Sequence, residues 1–154
     1  MAKYSEQFAR MKRYLERFGE IHAGRVHDRD SEHYLDDVYS FFLNCYHLKD
    51  WLIHDPAFPA NAAEVEGFIN SNVELQVCAD ICNAHKHLLL KHPRSAENPK
   101  MGPKKFFVGL GSGPTTVRAN YTIDTASGPR EAYELAERCA ELWRSFIVGK
   151  GGAV

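Results

Sequence analysis

Apolar residues recur at helical spacing in the first third of the chain. Near the N-terminus they fall three or four positions apart, which predicts a first helix that ends near Gly19. Asp30 or Ser31 suits the start of a second helix, since its side-chain oxygen can accept a free backbone N–H, and the Asp55–Pro56 pair ends that helix. The apolar positions of the first helix are Tyr4, Phe8, Met11, Leu15 and Phe18.

Two further helices are expected in the middle of the chain. A short one lies between residues 59 and 71, and a long third helix runs from about Asn72 to Lys91, before Pro93. Residues 92–103 contain three prolines and a glycine, which is typical of a loop. The predicted core face of the third helix is formed by Leu75, Cys78, Ile81, Cys82, His85, Leu88 and Leu89.

The C-terminal third changes from a period of two to a helical period. Apolar and polar residues alternate on one side of a Gly/Pro-rich turn. A β-hairpin is therefore predicted over about residues 104–124. Gly128–Pro129 is then expected to open a last long helix. We therefore predict a mostly α fold: one domain over residues 1–154, an antiparallel bundle of four long helices, with the β-hairpin inserted before the last helix.

Composition and charge exclude several classes of protein. The chain is 44% hydrophobic and 25% charged with a formal net charge of −1, which favours a globular domain with no general attraction to nucleic acid or anionic membrane. No apolar run approaches the roughly 20 residues that span a bilayer, and no secretory signal is present. The four cysteines fall in apolar helical patterns. Free buried thiols and a cytoplasmic location are the expectation.

A column of polar residues runs along the predicted third helix. Gln76, Asp80, Asn83 and His87 are spaced four, three and four apart, so their side chains share one face. This can be a solvated surface, but such surfaces usually carry Lys and Glu, whereas Asp and Asn are poor helix formers. Because His87 can exchange a proton near neutral pH, the column is a candidate functional site.

The second helix carries a similar column. His47, Asp50 and His54 share a face that lies opposite its apolar residues. Lys49 instead falls among the apolar positions, so it either extends its ammonium group to the edge of the core or pairs with an internal acid such as Asp80.

The two columns together suggest a metal-binding alternative. Imidazole and carboxylate ligands suit zinc, iron or manganese, and helical bundles do hold such ions. This interpretation requires both columns to face each other. The candidate ligands are His47, Asp50, His54, Asp80 and His87.

Positive charge is concentrated after the polar column. Between His85 and Lys105 there is a single acidic residue, Glu97, and Arg118 can extend the cluster along the hairpin. The segment is either a solvated loop or an attractive surface for phosphate groups. Its cations are Lys86, Lys91, Arg94, Lys100, Lys104 and Lys105.

The segment CNAHKH, residues 82–87, resembles the motif of the HEPN superfamily. These small helical proteins are often metal-independent endoribonucleases of toxin–antitoxin, phage-defence and RNA-processing systems. Their motif is an arginine, commonly followed by asparagine, with a histidine four to six residues further on. Asn83 and His87 match the asparagine and the histidine, whereas Cys82 occupies the position of the arginine.

The resemblance implies a homodimer that binds or cleaves RNA without a cofactor. His87 would contact the phosphate or act as general acid–base, Asn83 would orient it, and Lys86 or Lys49 would supply the missing positive charge. Asp80 and Asp50 would order the site. A third possibility is a non-catalytic module that binds a protein partner through the hairpin.

Overall fold

The computed structural model describes residues 2–154, and these form five α-helices and one four-stranded antiparallel sheet. The helices are α1 (Lys3–Ala23), α2 (Ser31–His54), α3 (Ala62–Asn70), α4 (Val73–His87) and α5 (Ala132–Gly149). The strands are β1 (Arg25–Val26), β2 (Lys100–Gly109), β3 (Thr116–Thr125) and β4 (Gly128–Glu131).

The predicted bundle of four long helices with an inserted hairpin is wrong as a description of the fold. The hairpin of β2 and β3 is present, but β3 is the centre of a sheet and not one arm of an isolated ribbon. On its other side β3 pairs with β1 and with β4. These two strands have two and four residues, too few for an alternating pattern to be recognised.

The start of the last helix was also predicted wrongly. Gly128 and Pro129 belong to β4, and α5 begins only at Ala132, where the Glu131 side chain accepts the backbone N–H of Glu134. Proline lacks a backbone N–H, which is tolerated in an edge strand as well as in the first turn of a helix. Pro129 pairs with Asp124 of β3, so it lies in an edge strand and not in the first turn of a helix.

The first helix continues past Gly19 and ends at Ala23. Gly19 lies inside the helix beneath Tyr133, where the lack of a side chain is needed: a Cβ atom there would lie 2.9 Å from the Tyr133 hydroxyl. Gly24 ends the helix with φ of 116°, a conformation that favours glycine. The predicted bounds of α2, by contrast, are confirmed at both ends, although the Asp30 side chain makes no capping hydrogen bond and only its backbone carbonyl accepts the N–H of His33.

The core lies between the helices and one face of the sheet. Tyr4 at the start of α1 is bonded to Asp55 after α2, while Arg17 near the end of α1 pairs with Asp37, so the two helices are antiparallel. The alternating residues of β3 close the core from the other side, where α1 and α5 pack against this strand. Those inward residues are Val117, Ala119, Tyr121 and Ile123, each at most 3% exposed.

None of the helices within residues 2–154 combines the length and the apolar character that a membrane crossing requires.

Candidate functional site

The candidate site is set by where α4 ends. The helix stops at His87, four residues before the predicted end at Lys91, and Leu88 adopts a positive φ of 61°. The backbone N–H of Arg94 donates to the Asp80 carboxylate, so the chain must turn back along the helix. A helix continued to Lys91 would end about 16 Å beyond Asp80, whereas three extended residues reach only about 10 Å.

Asp80 holds this returning loop in place. Its carboxylate accepts the backbone N–H of Arg94 at 2.7 Å, the backbone N–H of Ser95 at 2.9 Å and the Ser95 hydroxyl at 2.5 Å. The Asp80 side chain is fully buried. Buried carboxylates require such partners because the loss of hydration is otherwise uncompensated. Asp80 therefore positions the loop and is not exposed to a ligand.

Gln76 has a comparable structural role one turn earlier. Its side-chain amide donates to the carbonyl oxygens of Ile69 at 3.3 Å and Asn70 at 2.8 Å. Both carbonyls belong to the last turn of α3, and that of Ile69 also accepts the backbone N–H of Asn72 at 3.0 Å. The first half of the polar column thus connects α4 to its neighbours.

Asn83 and His87 form the second half, which faces solvent. Both line an open cleft of about 430 Å³ together with Lys91 and His92. Asn83 is half-buried and His87 is exposed. This cleft lies where the resemblance to the HEPN motif placed a phosphate-binding group.

His87 also lines a second, adjoining cleft of about 730 Å³. There the last turn of α4 and the first residues of β2 approach each other, with Lys86 and Lys100 among the lining residues. His85, predicted to be in the core, is exposed and stacks on Tyr39 of α2 with ring centroids 4.2 Å apart. Sequence reasoning missed Tyr39, since nothing in the pattern of α2 separates it from its apolar neighbours.

Positive charge at these clefts is available to a ligand. Among residues 2–154, the ion pairs do not include Lys86, Lys91 or Lys100. Arg94, by contrast, is bound to Glu66 at 2.6 Å and to Asn70 at 3.0 Å. In the basic segment, Arg94 is therefore held by the protein itself, whereas the lysines at the clefts are free to bind a ligand.

Cys82, at the position of the motif arginine, points into the core. Its side chain is 2% exposed, and burial raises the pKa of the thiol to about 11. A buried, protonated thiol neither binds phosphate nor acts as a nucleophile at neutral pH.

Lys49 is held at the edge of the core by an acid that the sequence did not single out. Its ammonium group lies 3.0 Å from Glu66 of α3, and 3.9 Å from the neighbouring Asp50. Burial lowers the pKa of Lys49, but the hydrogen bond to Glu66 and the charges of Tyr46, Glu66 and Asp50 together outweigh it and raise the pKa overall. The same Glu66 binds Arg94, so Lys49 belongs to a structural network and not to the clefts around His87.

The five residues of the metal-binding alternative are not brought together. The Asp80 carboxylate is engaged by the loop, and His54 Nδ1 lies 2.8 Å from the carbonyl oxygen of Asp50 in its own helix. His47 and Asp50 are exposed on α2. Within residues 2–154, the potential metal ligands that cluster are three cysteines, none of them in this set.

The β2 strand presents a second surface that the sequence indicated only in outline. Its outer edge has no neighbouring strand among residues 2–154. Phe106 is 40% exposed and Phe107 45%, and the Arg118 guanidinium lies 4.1 Å from the centre of the Phe107 ring. Adjacent residues of a strand point to opposite faces, so two consecutive phenylalanines were the available signal that one face of β2 would be uncovered.

Comparison with known proteins gave no match to a family model, to a curated protein or to a solved structure.

Proposed function

We propose that the protein binds single-stranded RNA across the two clefts at the end of α4. The observation that carries the proposal is the meeting of free cations and a histidine at these clefts: Lys86 and Lys100 line one, Lys91 lines the other, and His87 lines both. Phosphate groups are bound by such local patches even when the net charge is close to zero.

The shape of the clefts supports a polymer over a small molecule. Small ligands are usually enclosed in apolar pockets, whereas both clefts are only partly enclosed and carry lysine and histidine side chains beside apolar ones. A single strand can follow such an open surface, with its phosphates near the lysines and a base near the stacked pair of Tyr39 and His85. This is the ligand class that the likeness of Asn83 and His87 to the HEPN motif implies.

Binding is proposed ahead of cleavage. The motif arginine is replaced by the buried Cys82, and the nearby guanidinium of Arg94 is paired with Glu66. Lysine can neutralise a phosphate as a point charge but lacks the two-pronged geometry of arginine. If cleavage occurs, His87, the histidine that lines both clefts, is proposed to transfer the proton without a metal ion.

Fluorescence anisotropy with a labelled single-stranded RNA of roughly 12 nucleotides tests binding. Measured over a range of salt concentrations, the logarithm of the association constant should fall linearly with the logarithm of the salt concentration. Lys86→Ala and Lys91→Ala should each weaken binding and reduce that slope by about 0.7, since each removes one contact to phosphate. Lys12→Ala is the matched control, because Lys12 lies on the surface shared by α1 and α5.

Equal losses from Lys12→Ala and Lys86→Ala would contradict the proposal, as would a slope unchanged by both cleft variants. The same RNA incubated with excess chelator measures cleavage. Any cleavage should persist in chelator and disappear in His87→Ala. Cleavage that stops in chelator but survives His87→Ala would exclude His87 as the proton-transfer group.

A second candidate function, favoured by the open edge of β2, is self-association. Antiparallel pairing of β2 with β2 of a second copy would continue the sheet and cover Phe106, Phe107 and Val108. Homodimerisation and a cytoplasmic location both stay predictions.

Sedimentation velocity tests the pairing. The unmodified chain should sediment as a dimer at micromolar concentration, and Phe107→Lys with Val108→Lys should give a monomer. Val148→Lys, a matched change at a residue 50% exposed on α5, should leave the dimer intact. A monomeric unmodified chain would exclude this function without affecting the proposal for RNA.

A further inference from the structure

Three of the four cysteines meet in the interior. Cys45 of α2, Cys78 of α4 and Cys139 of α5 are each at most 1% exposed, and their sulfur atoms all lie within 4.8 Å of one another. We call these three residues the cysteine triad. Cys82, one turn beyond Cys78 on α4, is also buried but lies outside the group.

The spacing of the triad fits a three-coordinate complex. Metal–thiolate bonds of about 2.3 Å, the length found for zinc, place the sulfurs of a trigonal complex about 4 Å apart. Three different helices supply the sulfurs, so their packing already fixes most of the geometry. All three cysteines are free thiols in this structure.

Outside the triad the hydrogen-bond partners of its sulfurs are backbone carbonyls, and the opposite charges of Glu74 and Arg130 act on Cys139 in opposite directions. The Cys78 sulfur lies 3.4 Å from the carbonyl oxygen of Phe42, and the Cys139 sulfur lies 3.4 Å from that of Glu74. Burial raises the pKa of Cys45 and of Cys78 well above the ordinary range. Burial also opposes ionisation of Cys139, although hydrogen bonds from Cys45 and Cys78 lower the pKa of this thiol. The site thus accommodates little negative charge, shared among three sulfurs.

The number of sulfur ligands and the cost of burying charge together determine which thiophilic ion the triad can hold. Zinc in structural sites takes four ligands, and no fourth histidine, cysteine or carboxylate joins the cluster within residues 2–154. Three thiolates around a divalent ion carry one net negative charge, and around a monovalent ion two, which is costly to bury. Three thiolates around a trivalent centre are neutral. We propose that the cysteine triad binds a trivalent thiophilic metalloid, of the arsenic or antimony class, through its three sulfurs.

The reaction requires no oxidant or reductant. Arsenous acid, As(OH)₃, exchanges its three As–O bonds for three As–S bonds. The three thiol protons pass to the departing hydroxides, which leave as three water molecules, and arsenic remains trivalent. Where one sulfur starts as a thiolate, the third proton comes from solvent. The product links α2, α4 and α5 through one atom, so it should stabilise the fold.

The experiment uses the full chain, kept reduced with a thiol-free phosphine, and sodium arsenite as the probe. Because the thiols are buried, the protein is both incubated directly and refolded from denaturant with arsenite present. Native mass spectrometry should show one arsenic atom per chain, with the loss of three hydrogens from the protein. The unfolding temperature should rise by about 5–10 °C at a ligand concentration one hundred times the dissociation constant.

Cysteine variants locate the site. Cys82→Ala is the matched control and should retain both the adduct and the thermal shift, whereas Cys45→Ala, Cys78→Ala and Cys139→Ala should each lose the three-sulfur complex. X-ray absorption at the arsenic edge on the unmodified chain should show three sulfur neighbours, which keeps the test decisive if a triad variant does not fold. Absence of an adduct after refolding, fewer than three sulfur neighbours, or an unchanged complex in Cys139→Ala would overturn the proposal.

Discussion

The two halves of the polar column on α4 look alike in sequence and differ in the fold. Gln76 and Asp80 are bonded to α3 and to the loop after α4, and Asp80 is fully buried. Asn83 and His87 follow at the same spacing but line open clefts. One helical face therefore serves as a structural support over its first half and as a candidate binding surface over its second.

The difference arises from what packs against each half. The returning loop places the backbone N–H groups of Arg94 and Ser95 against Asp80, and no comparable segment covers His87. Polar residues in a helix face thus cannot be assigned to structure or function by spacing alone. The neighbouring backbone decides, because it either satisfies their hydrogen bonds or leaves them free for a ligand.

The largest loss of stability is expected from Asp80→Ala, in the half of the polar column that supports the fold. It removes three hydrogen bonds and leaves the buried N–H of Ser95 and the half-buried N–H of Arg94 without a partner, so the free energy of unfolding should fall by about 3–5 kcal/mol. Urea denaturation followed by circular dichroism measures it. His87→Ala is the matched change in the other half and should stay within about 0.5 kcal/mol of the unmodified chain. Equal losses from both would abolish the distinction.

A smaller loss is expected from Gln76→Ala. The substitution removes the hydrogen bonds to the carbonyls of Ile69 and Asn70. The Ile69 carbonyl keeps the backbone N–H of Asn72 and water can reach the exposed Asn70, so the cost should be about 1 kcal/mol. The same denaturation experiment measures it. A loss as large as that of Asp80→Ala would mean that the end of α3 depends on this side chain far more than its exposure suggests.

Acid should weaken the network that holds the returning loop. Burial raises the pKa of Glu66, but hydrogen bonds from Lys49 and Arg94 outweigh this and lower it below its ordinary value of 4.5. A carboxyl group with a lowered pKa stabilises the fold above its unfolded pKa, and this contribution is lost as the pH falls through the folded value. The unfolding temperature of Glu66→Gln should therefore lie below that of the unmodified chain at pH 7. The gap should close as the pH falls below about 4.5. A difference in unfolding temperature that does not change with pH would show that the ion pairs of Glu66 are not its cause.

The smallest change in stability is expected from a substitution at Leu88, the residue that directly follows α4. Its side chain is 91% exposed and its φ is 61°, so the leucine contributes little packing and holds a strained backbone. Leu88→Gly relieves that strain but increases the entropy of the unfolded chain, so stability should change by less than about 1 kcal/mol. A loss above 2 kcal/mol would show that Leu88 packs against another surface in solution.

Local sequence features predicted the parts of the fold that depend on neighbouring residues. The start of α2 at Ser31 and its end before Asp55–Pro56 are confirmed, as is the alternating strand from Val117 to Ile123. Inward positions of α5 such as Leu135 and Trp143 are also buried as expected. For these features a proline or a repeated apolar period acts within a few residues of the position that it determines.

The remaining features depend on contacts between distant segments, which no local pattern contains. Pairing with β3 makes Arg25–Val26 and Gly128–Glu131 into strands, and the bond from Arg94 to Asp80 ends α4 early and exposes His85. The cysteine triad likewise joins positions up to 94 residues apart, from Cys45 to Cys139. The sequence by itself determined which segments are helical and which residues are polar. Tertiary structure decided which polar groups are satisfied by the protein and which remain available to a ligand.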